Sequence, residues 1–203
     1  MKKKIIASII TAIVITSGTI CININAHSDT YYKRLPLEYV DDGYMECTDR
    51  INTDLQRYIN NLCEDDIPPE LIYAIMWRES RYISNINNKG LNENGTTDYG
   101  IMQINDSNFS WLAEKTGLEI NEKTMLYAYT NVTCGVEILK INMEYFKQQG
   151  FCGDDLLYAS LMGYGKGTRV AYEMIKNGIR DEQTEKAWTM YKYILNHKEE
   201  LEY

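Results

Sequence analysis

Apolar and polar positions along this 203-residue chain follow two regimes. Met1 to Ala26 is a basic start followed by a nearly continuous apolar run, whereas from about Thr48 onward apolar residues recur every three or four positions. Between about Thr48 and Leu62, the residues Ile51, Leu55, Tyr58, Ile59 and Leu62 share one helical face. Asp65-Asp66, then Pro68-Pro69 and Glu70, predict the start of a second helix, with acids in the first turn and proline where no amide hydrogen is needed. That helix carries Leu71 to about Tyr82. The helical spacing lapses over residues 87–104, where Asn94-Gly95 predicts a two-residue hairpin turn between short segments, the second ending in Tyr99-Gly100-Ile101-Met102-Gln103-Ile104. Asn105, Asp106 or Ser107 then caps a short helix to Gly117. Further helices are predicted from about Asn131 to Gln149, Asp154 to Met162, Thr168 to Gly178 and Asp181 to Asn196. The expected fold class is mainly α, with a small β-hairpin beside the second helix. Residues 48–203 show no repeat, low-complexity tract or linker that would divide them into two domains.

The ends carry different information. Met1-Lys2-Lys3-Lys4, the apolar run from Ile5 to Ile15 and Ile24-Asn25-Ala26 have the layout of a secretory signal over residues 1–26. Ile5 to Ile24 is also about long enough to be kept as an N-terminal membrane anchor. Either arrangement puts the rest of the chain outside the cytoplasm, and a membrane partner follows only from the second. Residues 27–47 are polar and tyrosine-rich and form an extended lead-in. The net charge is −8, and −11 once Lys2, Lys3 and Lys4 are set aside, which argues against nucleic acid as a partner.

Cys47, Cys63, Cys134 and Cys152 permit two disulfides in three pairings, or free thiols. Cys134 with Cys152 is a poor pair, because a helix between them would hold them more than ~20 Å apart. A metal site is not expected: there is no CxxC pair, and His27 and His197 lie at opposite ends. No cofactor is implied.

Candidate chemistry centres on Glu79. With Leu71 at zero and ~100° per residue, Ile75 falls near ~40°, Ile72 near ~100° and Met76 near ~140°. Glu79 falls near ~80°, inside that apolar arc. Burial raises a carboxyl pKa, and a glutamic acid still protonated near neutral pH can donate to a glycosidic oxygen. The plainer alternative is a glutamate at the helix end that tilts to solvent or pairs with Arg78 or Arg81. Asp98, at the edge of the hairpin, would supply a second carboxylate if the hairpin folds back onto the helix. Alone it would be a turn residue.

Four segments in order carry a resemblance: Arg78-Glu79-Ser80, Asp98-Tyr99-Gly100-Ile101-Met102-Gln103-Ile104-Asn105, Asn131-Val132-Thr133-Cys134-Gly135 and Gly163-Tyr164-Gly165. Together they resemble the soluble lytic transglycosylases of the lysozyme-like superfamily, over about residues 50–195. The second segment is similar to the specialised enzymes that accompany secretion and conjugation machines, and to animal-type lysozymes. The resemblance implies a lysozyme-like α+β fold, Glu79 as acid and then base, Ser80 and Gln103 lining the site, and Tyr164 with its hydroxyl near Glu79. Asn131 would be structural. Tyr99 and Tyr164 are the aromatic candidates for stacking on sugar rings, and Trp77, Trp111 and Trp188 are expected to pack in the core. The chain departs from the family at Gly165, usually Asn, in a glycine-rich loop, Gly163 to Gly167, that looks one residue short.

The implied substrate is peptidoglycan. A transglycosylase uses one carboxylate and closes a 1,6-anhydro ring on N-acetylmuramic acid (MurNAc). A hydrolytic muramidase would use Glu79 and Asp98 with water, and an inactive glycan-binding module would use neither. A secretion or conjugation machine is a further expected partner.

Overall fold

The computed structural model describes residues 51–63 and 67–197. The apolar N-terminal run, the lead-in, Cys47 and the Asp65-Asp66 helix start lie outside them. Within them are seven α-helices and two short strands: α1 (Thr53–Leu62), α2 (Pro69–Ser80), β1 (Asp98–Tyr99), β2 (Ile104–Asn105), α3 (Phe109–Thr116), α4 (Ala128–Gln148), α5 (Gly153–Lys166), α6 (Thr168–Lys176) and α7 (Glu182–Asn196). Short 3-10 turns at Asp106–Asn108 and Thr124–Leu126 lead into α3 and α4.

Helix α1 starts later than its apolar spacing predicts, because the Asn52 side chain accepts from the Leu55 amide at 2.8 Å and caps the helix there. Helix α2 is apolar on nearly every side, with Leu71, Ile72, Ala74, Ile75 and Met76 fully buried. It packs on α7 and α1. It stops at Ser80 because Arg81 and Tyr82 turn left-handed, at φ 53° and 63°. The Arg81 guanidinium folds back to donate to the Trp77 carbonyl at 2.9 Å and lies 3.5 Å from the centre of the Trp77 ring.

The hairpin forms, but its turn is not where Asn94-Gly95 predicts. Asp98 lies opposite Asn105 and Tyr99 opposite Ile104, so the tight turn is Gly100–Gln103. Asn94-Gly95 instead bends a longer loop whose ends, Asn87 and Tyr99, meet in an antiparallel bridge, and there the Gly95 amide donates to the Asn92 carbonyl at 3.1 Å. Tertiary packing selects Gly100. Its φ is +79°, and a Cβ there would lie 2.3 Å from both the Asn131 amide nitrogen and the Met125 carbonyl oxygen.

Two further boundaries differ from expectation. Helix α4 opens at Ala128, a turn ahead of Asn131, so Asn131 is already inside it. Helix α5 continues to Lys166 and takes Gly163 and Gly165 into the helix instead of a loop. Gly163 is where α5 closes on α4: a Cβ would stand 3.0 Å from the Phe146 ring and 3.4 Å from the Asn142 amide. Trp77 and Trp188 are buried as expected, while Trp111 is half-buried with its indole N–H on the Asn108 side chain at 3.0 Å. Cys63 and Cys134 are free thiols.

Candidate active site

A cleft of about 810 Å³ opens between the end of α2, the hairpin with its preceding loop, and α5. Glu79, Asp98, Gln103 and Tyr164 all line it, as do Asn88 and Asn105. The cleft therefore brings together four of the six residues singled out from the sequence, drawn from three separate stretches of chain.

Glu79 sits in the last turn of α2 with 21 % of its side chain exposed, facing the cleft and ion-paired with Arg78. The position inside the apolar arc and the pairing with Arg78, weighed as alternatives on the sequence, coexist. The Arg78 side chain is 6 % exposed and lies behind Glu79, outside the cleft lining. Burial pulls its pKa down, and the nearby Tyr164 and Asp181 oppose that pull.

Asp98 stands in a different environment. Its Oδ2 accepts from the side-chain amides of Asn88 at 2.5 Å and Asn92 at 3.2 Å, and its Oδ1 accepts from Asn105 at 2.7 Å. Its backbone N–H donates to Asn88 Oδ1 at 2.5 Å. Both carboxylate oxygens are thus engaged by neutral amides that tie the loop over residues 88–97 to β2. Asn88 and Asn92 were not singled out from the sequence, since asparagine in a loop reads first as a turn residue, and Asn105 stood there as a helix cap within a motif.

The other motif residues converge on the Gly100–Gln103 turn. The Ser80 hydroxyl donates to the Ile101 carbonyl at 2.7 Å. Fully buried Asn131 accepts from the Met102 amide at 2.8 Å and donates to the carbonyls of Tyr99 at 2.8 Å and Met125 at 3.0 Å. The Tyr164 hydroxyl donates to the Met102 carbonyl at 2.8 Å, and Gln103 Nε2 reaches the Gly100 carbonyl at 2.8 Å. One turn below Asn131, Gly135 makes room for Met102, whose sulfur would lie 2.3 Å from a Cβ. These contacts revise three expectations. Ser80 is buried and turned toward the turn's backbone, not the cleft. Tyr99 is buried, its ring 5.5 Å from that of Phe109, and offers no face for stacking. Tyr164 lines the cleft, but its hydroxyl serves Met102, and burial pushes its pKa well up so that it stays a donor.

A model of the transglycosylase SLT domain family matches residues 57–190. The chain belongs to this family. No curated protein matches the chain. SLT domains are those of peptidoglycan lytic transglycosylases, lysozyme-like glycosidases, so this SLT domain is an enzyme fold whose substrate is peptidoglycan. Among its described residues, no group of three or more His, Cys, Asp or Glu side chains is placed to hold a metal ion. No described helix is long and apolar enough to cross a membrane.

Proposed function

We propose that this SLT domain cleaves the β-1,4 bond from MurNAc to N-acetylglucosamine (GlcNAc) with Glu79 as general acid and then base, leaving 1,6-anhydro-MurNAc ends. One observation carries this reading: Glu79 opens into the cleft, whereas three amides already engage both oxygens of Asp98. Ring closure by the sugar's own hydroxyl needs only one working carboxylate, and the amides that hold both Asp98 oxygens give that residue a structural task in the loop. In the first step the Glu79 proton passes to the departing GlcNAc oxygen as the C1–O bond breaks. In the second, Glu79 takes the proton of the MurNAc C6 hydroxyl as the O6–C1 bond forms. Asp98 then serves as the post around which the loop over residues 88–97 is tied.

The substrate lies outside the cytoplasmic membrane, in keeping with the signal-like or anchor-like pattern of residues 1–26. A secretion or conjugation machine as partner rests only on the likeness of residues 97–105 to enzymes of that kind. The test is mass analysis of soluble fragments after digestion of purified peptidoglycan by the full chain and its Glu79→Gln and Asp98→Asn variants. Anhydro ends from the parent and from Asp98→Asn, with none from Glu79→Gln, are expected. Reducing-end products one water heavier would make the chain a muramidase and move Asp98 into the chemistry. Binding without fragments would make it a glycan-binding module.

A further inference from the structure

The Arg78–Glu79 ion pair poses a problem for an acid catalyst. A cation in contact favours the anionic form of a carboxyl group, and so lowers the fraction that carries the proton to be donated. A general acid works best when its pKa lies near the working pH, since a stronger acid transfers its proton more readily but is less often protonated.

Arg78 is built in from every side. On α2 it faces Glu79, with the Arg81 guanidinium turned away over Trp77. From α5 the phenol of Tyr164 lies near it, and Gly165 lies above it: a Cβ at 165 would sit 3.5 Å and 3.7 Å from the two terminal guanidinium nitrogens. From the start of α7, Asp181 also acts on Arg78. Asp181, however, is already held by Lys166 at 2.9 Å, by the Thr184 amide at 2.9 Å and by the Thr184 hydroxyl at 2.8 Å. It leaves the contact with Arg78 to Glu79. Across the cleft stand Glu93 and the amide-bound Asp98.

We infer that Arg78 is a positioning residue for Glu79, holding its carboxylate aimed into the cleft and stabilising the anion that exists between the two proton transfers. This rests on the assignment of Glu79 as acid and base. Arg78 lies outside the cleft lining and acts through the partner it holds. It makes Glu79 a stronger acid that is loaded with a proton over a lower range of pH.

The test is the pH profile of kcat/KM for fragment release from peptidoglycan by the full chain and by its Arg78→Met and Arg78→Lys variants, with folding checked by circular dichroism. Arg78→Met should shift the alkaline limb upward by about one pH unit or more and lower the acid-side plateau of kcat/KM. Arg78→Lys, which keeps the charge, should hold the limb near its parental position. A carbon-13 titration of the Glu79 carboxyl supplies a readout independent of turnover, and its midpoint should rise in Arg78→Met. If Arg78→Met does not fold, Arg78→Gln carries the same comparison. An alkaline limb and a titration midpoint that stay put when the charge is removed would overturn the inference and leave Glu79 as the acid. An active Glu79→Gln variant, or a parent that releases no fragments, would instead overturn the assignment beneath it.

Discussion

Replacing Asn131 with alanine should unfold this domain far more readily than its single small side chain suggests. The amide is completely buried and makes three hydrogen bonds to main-chain groups, the Met102 N–H and the carbonyls of Tyr99 and Met125. Leaving a buried polar group without a partner costs about 1–3 kcal/mol. Three such groups, offset where water enters the space, give about 3–5 kcal/mol, a large share of the ~5–15 kcal/mol that holds a typical domain together. Urea unfolding followed by tryptophan fluorescence should show the midpoint falling by about 1–2 M. Fragment release should fall with it even where the variant is folded, because the Gly100–Gln103 turn loses its anchor. Asn131→Asp tests the geometry more sharply. It keeps an acceptor for Met102 but sets a carboxylate oxygen against two carbonyl oxygens, so the protonated form is favoured and the folded-state pKa is raised. Its stability should be closest to the parent below the ordinary carboxyl pKa and be lost as pH rises through the elevated one. A loss under about 1 kcal/mol in Asn131→Ala, or no pH dependence in Asn131→Asp, would refute the account of this residue.

Gly100→Ala should be recovered only as insoluble or unfolded protein in a solubility and circular-dichroism screen, since the new carbon meets the Met125 carbonyl oxygen at 2.3 Å in a left-handed backbone. Burial raises the Asp181 carboxyl, but Lys166 and the two groups of Thr184 outweigh it and leave the pKa below its ordinary value. Its contribution is therefore full above the unfolded carboxyl pKa and is lost as pH falls through the folded one. Asp181→Ala should cost about 1 kcal/mol of thermal stability at neutral pH and less in acid. Burial pushes the Cys63 and Cys134 thiols up to about 11, so alkylation near neutral pH should be slow in the folded protein and fast in urea, read by mass spectrometry.

Two independent signals met on Glu79 in the sequence, an acid inside an apolar arc and its place in an ordered set of motifs, and the structure sets it on the cleft. The helices were legible from periodicity, but their ends were set by interactions that periodicity does not encode. Asn52 capping α1 and the left-handed pair Arg81 and Tyr82 closing α2 are local events. The misplaced hairpin turn has another origin. Asn94-Gly95 is the stronger turn signal within its own few residues, and Gly100 becomes the turn only because Asn131 and Met125, far along the chain, crowd it. Gly163 and Gly165 looked like loop glycines for the same reason, since the sequence does not display the Phe146 ring that requires the first. Ser80 and Tyr99 belonged to the right motifs, yet their side chains turn inward. Membership of a motif marked them as needed without saying whether a sugar or a backbone carbonyl needs them.

The hanging of the Gly100–Gln103 turn also bears on the order in which the molecule comes together. Its carbonyl and amide partners are side chains 21, 29 and 62 residues away, on α2, α4 and α5. Contacts of such separation form late, after the loop-closure entropy between them has been met. A chain with α2 formed but α5 undocked carries Glu79 without the opposite side of the cleft. Wall-cutting capacity would then appear only on completion of the fold, so a nascent or mispacked copy is inert toward the polymer it is made to cut.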